Sequence, residues 1–237
     1  MTAVDRRLAW DACLNVRDLG GLRCGDAVVR GGRLVRASTM GTLTAGGRQA
    51  MRSYGIRTVI DVRGDDEATK EPSLFREGVC YRRVPLSSLR MMALHHAAHA
   101  GRLAEELRAI AVAGGGLSDV VRAIAAAEPG IVLHCAAGRD RTGIVVATLL
   151  AAIGVPDAEI VEDYVLSDEA LADEYERFKA ANPERAAAVD AGVAKRAWVM
   201  GETLKAIREV FGGGSAYLQL AGVPPEDLTA IRTKLVA

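Results

Sequence analysis

The sequence predicts an α/β fold with a mostly parallel central sheet that is flanked by helices on both faces. Short apolar runs rich in β-branched residues alternate with longer helix-prone segments, and this alternation is typical of parallel sheets. The chain has 237 residues, of which 50% are hydrophobic, enough to bury one sizeable core. We therefore expect a single domain over residues 1–237, with its functional site beyond the carboxyl ends of the strands.

The first elements are a hairpin and a helix. Residues 28–37 are typical of a β-hairpin, because Gly31-Gly32 separates two runs of strand-forming residues and allows a tight turn. Thr44 is a suitable N-cap for a helix over residues 44–54, and the glycine that follows would end it.

Two strands follow before a long helix-prone segment. A strand is expected over residues 58–62 and is followed by a charged turn over residues 63–67. A second short strand over residues 80–84 is closed by Pro85. Residues 89–112 are helix-prone and are followed by three glycines.

The second half contains one more strand between helices. Ser118 can cap a helix that extends to residue 127, and residues 131–133 form a short β-branched run typical of a buried strand. Residues 144–150 are apolar except for Thr148 and indicate a helix. Further helices are expected over residues 158–165, 168–181, 183–210 and 225–236.

Residues 134–143, which read His-Cys-Ala-Ala-Gly-Arg-Asp-Arg-Thr-Gly, are the most informative stretch of the chain. Cys135 and Arg141 flank five residues in a loop that leaves the predicted strand and enters the predicted helix. Backbone N–H groups at the start of a helix have no helical partner, and the helix dipole favours negative charge there. The loop is therefore expected to bind an anion.

The residue types in this loop indicate phosphoryl transfer. A cysteine there is expected to be largely thiolate, the form that attacks, whereas a free cysteine elsewhere is usually a small buried residue. Arg141 presents a planar fork for two phosphate oxygens, Gly138 lets the backbone approach the anion, and Thr142 can donate its hydroxyl to the sulfur. The residues expected to contact the phosphate group are Ala136, Ala137, Gly138, Arg139, Thr142 and Gly143. We expect Cys135 to attack phosphorus and water to hydrolyse the resulting thiophosphate ester.

The loop resembles that of cysteine-dependent tyrosine and dual-specificity phosphatases. Its ending is most similar to the bacterial atypical branch of the tyrosine phosphatases, whose usual form is HCxxGKDRTG. Three other segments resemble that branch: residues 15–21 (NVRDLGG), residues 55–63 (GIRTVIDVR) followed by Glu67, and residues 163–167 (DYVLS). The resemblance runs from about residue 13 to the C-terminus, and residues 87–117 match least.

This resemblance implies a fold and a reaction. It implies the cysteine-dependent phosphatase fold, with a helical lid-like insertion over residues 89–116 that would hinge at its glycines. It also implies a phosphomonoesterase with a cysteinyl-phosphate intermediate that needs no cofactor and no metal, with a protein-tyrosine phosphatase as the leading expectation. A phosphorylated small metabolite or a phosphoinositide is the alternative substrate. A non-catalytic phospho-ligand binding module is a weaker alternative, because such modules usually lack the cysteine or the arginine, and both are present here.

The leaving oxygen needs a proton, and two aspartates are candidates to supply it. The resemblance implies Asp140, within the loop, as the general acid. Asp61 is the second candidate, since it ends a strand expected to neighbour the active-site strand. The alternative is that Asp61 forms a structural ion pair with Arg63 or Arg17.

Five residues are expected to support the loop without taking part in the chemistry. His134 would orient the loop through its ring nitrogens. By resemblance Asn15, Arg17 and Asp18 lie near the loop and brace it, and Arg63 belongs to the same supporting group.

Arg139 departs from the branch pattern, which usually has a lysine that is associated with phosphoinositide hydrolysis. Arginine keeps the charge but is a planar fork, so a preference for polyphosphorylated inositol does not carry over. Arg139 either contacts substrate or is a solvated cation that raises the local potential.

Composition excludes several classes of function. The formal net charge is zero, which argues against a nucleic-acid-binding protein. No run of eighteen apolar residues and no secretory signal is visible, so a cytoplasmic protein without a transmembrane segment and with four reduced cysteines is expected. His95 and His99 share a helix face, but no acidic or cysteine ligand lies close in sequence, so no metal site is expected. The expected partner is a phosphorylated protein or a small phosphorylated substrate, and the oligomeric state is left open.

Overall fold

A computed structural model of the chain describes residues 5–72, 75, 78–112 and 116–237. The described strands are β1 (Arg17–Asp18), β2 (Arg23–Cys24), β3 (Ala27–Val28), β4 (Leu34–Ala37), β5 (Thr58–Asp61), β6 (Cys80–Arg83) and β7 (Ile131–His134). The described helices are α1 (Ala45–Ser53), α2 (Asp65–Lys70), α3 (Ser88–His99), α4 (Leu103–Val112), α5 (Leu117–Ala126), α6 (Asp140–Ile153), α7 (Asp157–Ala170), α8 (Ala172–Ala181), α9 (Ala186–Phe211), α10 (Gly214–Leu220) and α11 (Pro225–Leu235). A 3-10 turn at Pro183–Arg185 precedes α9.

The central sheet is mostly parallel, which confirms the predicted fold class. Its strand order is β1-β4-β7-β5-β6, so β7 lies in the middle. Both neighbours of β7 run parallel to it and β6 runs parallel to β5, whereas β1 pairs with β4 in the antiparallel direction. Every residue of β4, β5 and β7 is buried, as expected for strands that are covered on both faces.

The sheet separates two apolar clusters. Ile131 and Leu133 of β7 belong to the larger cluster, which also contains side chains of α4, α5, α6 and α9. Val132 belongs to the smaller cluster, together with Trp10 and Met51 of α1. Successive side chains of a strand point to opposite faces, so helices cover both sides of the sheet and fix the position of β7.

The predicted hairpin over residues 28–37 is wrong. β3 pairs with β2, and β4 pairs with β1 and β7. The backbone instead packs tightly here, since a Cβ on Gly20 would lie 2.4 Å from the Gly31 Cα atom. The Asp18 carboxylate accepts the N–H groups of Gly20 and Gly32, each at 2.6 Å. Gly20 and Gly31 therefore allow two backbone segments to approach closely, in place of the predicted hairpin turn.

Other predictions for the first half are confirmed, with one correction. Thr44 caps α1, because its hydroxyl accepts the Gly47 N–H at 3.1 Å. The strands predicted over residues 58–62 and 80–84 are β5 and β6. The expected charged turn over residues 63–67 is wrong in its second half, because α2 begins at its third residue.

The helices of the second half were predicted with shifted boundaries. α5 begins at Leu117 with Gly116 as its N-cap, not Ser118. α6 begins at Asp140, four residues before the predicted start, so residues 140–143 of the loop form its first turn. The helices predicted over residues 158–165, 168–181, 183–210 and 225–236 correspond to α7, α8, α9 and α11, and the short α10 was not predicted.

The predicted insertion over residues 89–116 contains α3 and α4. Gly114 and Gly115, where the hinge was expected, lie outside the described residues. The His99 ring at the end of α3 stacks on Trp198 of α9 with a centroid distance of 5.0 Å. Tyr217 of α10 donates its hydroxyl to the Leu107 carbonyl of α4 at 2.8 Å. Among the described residues, no single helix is long and apolar enough to cross a membrane; α4 and α5 meet that test only as a bent pair.

Lys234 of α11 fixes the end of α5. Its Nζ atom donates to the carbonyl oxygens of Ile124 at 2.7 Å and Ala125 at 2.8 Å, and also to that of Ala127. Carbonyl groups in the last turn of a helix lack helical partners, so the lysine satisfies them. α5 leads directly into β7, so α11 supports the approach to the central strand.

Candidate active site

The loop that joins β7 to α6 contains a buried cysteine at its beginning. Cys135 is 3% exposed and follows the last residue of β7. Gly138 has a φ of 65°, and a Cβ atom there would lie 2.2 Å from the Ala37 carbonyl oxygen of β4. Any side chain would collide with the end of the neighbouring strand, so this position requires glycine.

The carbonyl groups of this loop are bound from outside. The Ala136 oxygen accepts the Thr39 N–H at 2.7 Å, the Ala137 oxygen accepts Asn15 Nδ2 at 2.9 Å, and the Gly138 oxygen accepts Arg36 Nη2 at 2.8 Å. No described residue accepts a hydrogen bond from the backbone N–H groups of residues 136–139 and 141. These donors are therefore available to a tetrahedral oxyanion, as expected of an amide nest at a helix N-terminus.

Arg141 is held in place by a carboxylate. Its Nη1 and Nη2 atoms donate to Glu67 at 2.5 and 2.6 Å, and the Gly64 N–H donates to the same carboxylate at 3.0 Å. This bond to Arg141 lowers the pKa of Glu67. Burial alone would lower the pKa of Arg141, but attraction to Glu67 and Cys135 outweighs burial and raises it. The guanidinium is thus charged and fixed in orientation beside the loop.

Two described side chains donate hydrogen bonds to Asp140. Its carboxylate accepts Arg139 Nε at 2.9 Å and Arg139 Nη2 at 2.8 Å, and the Tyr164 hydroxyl at 3.2 Å. The Asp140 side chain remains 32% exposed. It is therefore accessible from solvent while its orientation is restrained.

Asp61 lies in a fully buried ion pair. Its carboxylate accepts Arg63 Nη2 at 2.8 Å and the Tyr81 hydroxyl at 2.7 Å, and neither Asp61 nor Arg63 is more than 2% exposed. Burial would raise the pKa of Asp61, but the hydrogen bonds from Arg63 outweigh it and lower the pKa. This geometry favours the ion-pair alternative over direct contact with substrate.

His134 connects this pair to the loop. Its Nδ1 atom lies 3.2 Å from the Cys135 carbonyl oxygen, and its Nε2 atom lies 3.7 Å from the Asp61 carboxylate. Burial lowers the pKa of His134 despite the attraction of Asp61, so the neutral ring is favoured.

The N-terminal segment braces the loop through Asn15 and Arg17. Asn15, whose φ is 57°, binds the loop with its amide nitrogen and accepts Arg17 Nη1 with its amide oxygen. Arg17 Nε donates in turn to Asp163 of α7 at 3.1 Å. Burial and repulsion by Arg36 lower the pKa of Arg17 to about 9. Asp18 was grouped with these two residues, but its carboxylate accepts the N–H groups of Gly20 and Gly32 and the Tyr54 hydroxyl, and it has no described hydrogen bond to the loop.

Asp163 is the centre of this buried support. It accepts Arg36 Nη1 at 2.7 Å and Arg6 Nη1 at 2.8 Å, in addition to Arg17. Burial would raise the pKa of Asp163, but the three arginines outweigh it, so its pKa lies well below the ordinary value. Three positive charges therefore share one carboxylate directly behind the loop.

Thr142 and Gly143 lie in the first turn of α6. The Thr142 hydroxyl is buried, and no described residue forms a hydrogen bond with it. The expected bond to the Cys135 sulfur stays a prediction. A Cβ atom on Gly143 would lie 2.6 Å from the Tyr164 ring, so glycine allows α7 to pack against this turn.

A groove of about 540 Å³ opens beside the loop. Its lining residues are Ala12, Leu14, Ser38, Thr39, Thr42, Ala136, Ala137, Leu171, Glu174 and Tyr175. Most of its exposed lining is apolar, and Glu174 contributes an acidic group. The groove can accommodate an organic group whose phosphate occupies the loop.

Four residues of the site were not singled out from the sequence: Glu67, Arg36, Asp163 and Tyr175. Glu67 and Asp163 stood within segments quoted only for their resemblance. Arg36 carried a signal that could have been used, because an arginine within an otherwise apolar strand must find buried partners.

Several known proteins are similar to this chain. Residues 8–237 match a family described as the tyrosine phosphatase family. A tyrosine-protein phosphatase of Nostoc commune is 30% identical over 226 residues, which cover 90% of this chain and 77% of that protein. The triple specificity protein phosphatase PtpB of Mycobacterium tuberculosis is 27% identical, with 88% of this chain and 92% of that protein covered. The crystal structure of TpbA from P. aeruginosa matches with a TM-score of 0.35 and 15% identity, over 69% of this chain and 80% of that chain.

Proposed function

The chain belongs to the tyrosine phosphatase family and is a cysteine-dependent phosphoric monoester hydrolase, and we propose that it dephosphorylates phosphotyrosine in proteins. One observation carries the assignment of the site. The loop holds a buried Cys135 beside backbone N–H groups without acceptors, while its carbonyl groups are bound from outside. This arrangement suits a thiolate that attacks a tetrahedral phosphate group.

The proposed reaction has two steps. The Cys135 sulfur forms a bond to phosphorus while the bond from phosphorus to the leaving oxygen breaks, and Asp140 donates a proton to that oxygen. Water then attacks the phosphocysteine, Asp140 accepts a proton from the water, and the thiolate and inorganic phosphate are released. Arg141 and the loop N–H groups stabilise the charge that develops on the equatorial oxygens in both steps.

Other residues have supporting roles in this proposal. Ala136, Ala137, Gly138 and Gly143 contribute backbone to the phosphate site. Thr142 donates its hydroxyl to the sulfur when the thiolate leaves. Asn15, Arg17, Arg63 and His134 hold the loop. Asp61 belongs to this supporting set because Arg63 binds both its carboxylate oxygens and Tyr81 binds one of them. Asp18 supports the backbone next to β1, where its carboxylate binds the N–H groups of Gly20 and Gly32.

A substrate panel tests this function. Phosphotyrosine peptide, phosphoserine peptide, a phosphoinositide and a sugar phosphate are compared at equal concentration, with Cys135→Ser as the control. We expect the highest kcat/KM for phosphotyrosine peptide and no turnover by the variant. Preference for the lipid or the sugar phosphate would establish the alternative substrate class. Binding without turnover by the native chain would indicate a phospho-ligand binding module.

We also propose the organisation and location of the protein. One domain over residues 1–237 is supported by an apolar cluster that includes residues from Leu19 to Leu235. The region over residues 89–116 is proposed as a lid, since α3 contributes Leu94 to a small cavity that Asp140 also lines. A cytoplasmic location suits an enzyme that needs a reduced cysteine, and recovery in an extracellular or envelope fraction would contradict it.

A further inference from the structure

The side chain of Arg139 does not project into the phosphate site. Its guanidinium donates two hydrogen bonds to Asp140, at 2.9 and 2.8 Å, and its Nη1 atom donates to the Tyr175 hydroxyl of α8. The side chain is 19% exposed. Three of its five N–H donors are therefore engaged by these two neighbours, which leaves Arg139 poorly placed to serve as a free cation for a second phosphate group.

The Tyr175 hydroxyl forms hydrogen bonds to three side chains. It accepts from Arg139 and from Arg196 Nη1, the latter at 2.8 Å, and it lies 3.3 Å from the Asp168 carboxylate. A guanidinium can only donate, so the hydroxyl proton must point to Asp168. Burial raises the pKa of Tyr175 despite the two arginines, which keeps this proton in place.

The Tyr175 ring is also bound by both cations. The Arg139 Cζ atom lies 5.5 Å from the ring centroid and the Arg196 Cζ atom lies 4.9 Å from it, both within the range of cation–π contacts. Arg196 of α9 is paired with Asp168 of α7, and their side chains are only 9% and 16% exposed. Side chains of α7 and α9 thus meet Tyr175 of α8. Two arginines (Arg139 and Arg196) and two aspartates (Asp140 and Asp168) surround it, so their charges sum to zero.

We propose that Tyr175 is a positioning residue for Asp140. It holds Arg139 in the orientation in which the guanidinium grips the Asp140 carboxylate, and it thereby fixes the proton-transfer group relative to the leaving oxygen. This inference rests on the proposed function, in which Asp140 exchanges that proton. In this proposal Arg139 holds the Asp140 carboxylate and does not contact the substrate.

The described contacts of Asp140 show how Tyr175 would act on it. Arg139 and Tyr164 of α7 donate hydrogen bonds to the Asp140 carboxylate, and Tyr175, Arg196 and Asp168 lie behind Arg139. A two-point ion pair with arginine fixes the direction of a carboxylate. Loss of the Tyr175 hydroxyl would loosen this pair and would displace the Asp140 carboxylate from the leaving oxygen.

The test is Tyr175→Phe, which removes the hydroxyl and keeps the ring. Phenyl phosphate has a poor leaving group and p-nitrophenyl phosphate a good one, so only the first depends strongly on proton donation. We expect kcat for phenyl phosphate to fall about threefold to tenfold, the effect of one hydrogen bond. For this substrate the loss should lie in kcat and not in KM, whereas kcat/KM for p-nitrophenyl phosphate, which reports only the steps up to formation of the phosphocysteine, should change little.

Three further variants complete the experiment. If Tyr175 acts through Asp140, the double variant Tyr175→Phe/Asp140→Asn should be no slower than Asp140→Asn alone. Ser215→Ala is the control, because it removes a hydroxyl that donates to the Ala152 carbonyl oxygen at the far end of α6, at 3.0 Å. It should leave both substrate profiles as they are. Should Tyr175→Phe fail to fold, Arg139→Lys, which keeps the charge and loses the fork, should give the same signature.

Equal losses for the two substrates, a raised KM at constant kcat, or additive effects in the double variant would overturn the proposal. These failures are distinct from a failure of the proposed function. Cys135→Ser in the same assay reports on the function, since native activity that this substitution does not abolish would exclude the cysteine mechanism. An unchanged Tyr175→Phe profile beside an inactive Cys135→Ser variant would reject the positioning role alone.

Discussion

The active-site loop is held by two sets of ionic contacts that differ in burial and in charge balance. Behind the loop, Arg17 and Arg36 meet Asp163, and none of these side chains is more than 2% exposed. In front of it, Arg139 and Asp140 form a pair that is 19% and 32% exposed. Removing one partner of a buried set costs far more than removing one partner of a solvated pair. We therefore expect the rear set (Arg17, Arg36 and Asp163) to determine the shape of the loop, and the front set (Arg139 and Asp140) to act in the proposed proton transfer.

The largest expected effect comes from the rear set. Asp163→Asn leaves three arginines, two of them fully buried, without their carboxylate. We expect the free energy of unfolding to fall by about 3–5 kcal/mol. Denaturant unfolding measures this, with Asp140→Asn as the matched control that should lose less than about 1 kcal/mol. Equal losses for the two variants would remove the contrast between the two sets.

Asp140→Asn should instead affect catalysis. We expect kcat for an alkyl phosphate or phenyl phosphate to fall about 100-fold, because proton donation to a poor leaving group is lost. For p-nitrophenyl phosphate the loss in kcat/KM, which reports only the steps up to formation of the phosphocysteine, should be much smaller. Steady-state kinetics with both substrates measure the difference. An equal loss for both would count against Asp140 as the general acid.

Gly138→Ala tests whether the loop tolerates a change of shape. Its φ of 65° and a Cβ position 2.2 Å from the Ala37 oxygen predict a loss of about 1–3 kcal/mol in unfolding free energy. Inhibition by inorganic phosphate should weaken as well, because the loop N–H groups shift. Gly192→Ala is the control, since that helical glycine has no heavy atom within 4 Å of its Cβ position and should gain about 0.5–1 kcal/mol. Normal phosphate inhibition by Gly138→Ala would show that the loop shape is not decisive.

The rear set should also be visible in acid unfolding. The pKa of Asp163 is lowered in the folded protein, so its contribution to stability is present above the ordinary aspartate pKa of about 3.9 and is lost as the pH falls below it. Native protein should therefore lose more than about 1.4 kcal/mol that Asp163→Asn does not lose between about pH 4 and pH 2. Unfolding free energies at a series of pH values measure this difference. Parallel curves for the two proteins would contradict it.

The smallest effect concerns the proposed lid. A phosphate-mimicking oxyanion such as vanadate should slow hydrogen exchange in residues 89–112 if these helices close over the front of the loop. The β4 and β7 amides, already buried, should change little and serve as the internal reference. Unchanged exchange across residues 89–112 would count against a lid.

The central part of the fold could be predicted from the sequence, because its signals are local. β5 and β7 are short apolar runs, and Thr44 is a helix cap that needs only its own turn. The hairpin over residues 28–37 could not be judged in this way, since β4 is paired by β1 and β7 and not by its neighbour in sequence. Tertiary pairing overrides local turn signals at such a position.

The residues of the site also divide into those that a local motif predicts and those that depend on tertiary contacts. Cys135, Gly138 and Arg141 lie in one continuous motif, so their chemistry was predicted. Glu67 contacts Arg141 across 74 residues, and Arg36 contacts Gly138 across 102 residues. Such contacts depend on strand order, which residue patterns do not specify. Tyr175 was missed for the same reason, because its role follows from helices that meet only in the folded chain.

Lys234 has a consequence for protein synthesis. It lies 110 residues after Ile124, yet it satisfies the carbonyl groups where α5 turns toward β7 and the reactive cysteine. α11 must be synthesised before this contact can form, although the loop that contains Cys135 is synthesised much earlier. We expect nascent chains that stop short of α11 to carry the complete catalytic motif without a stable phosphate site.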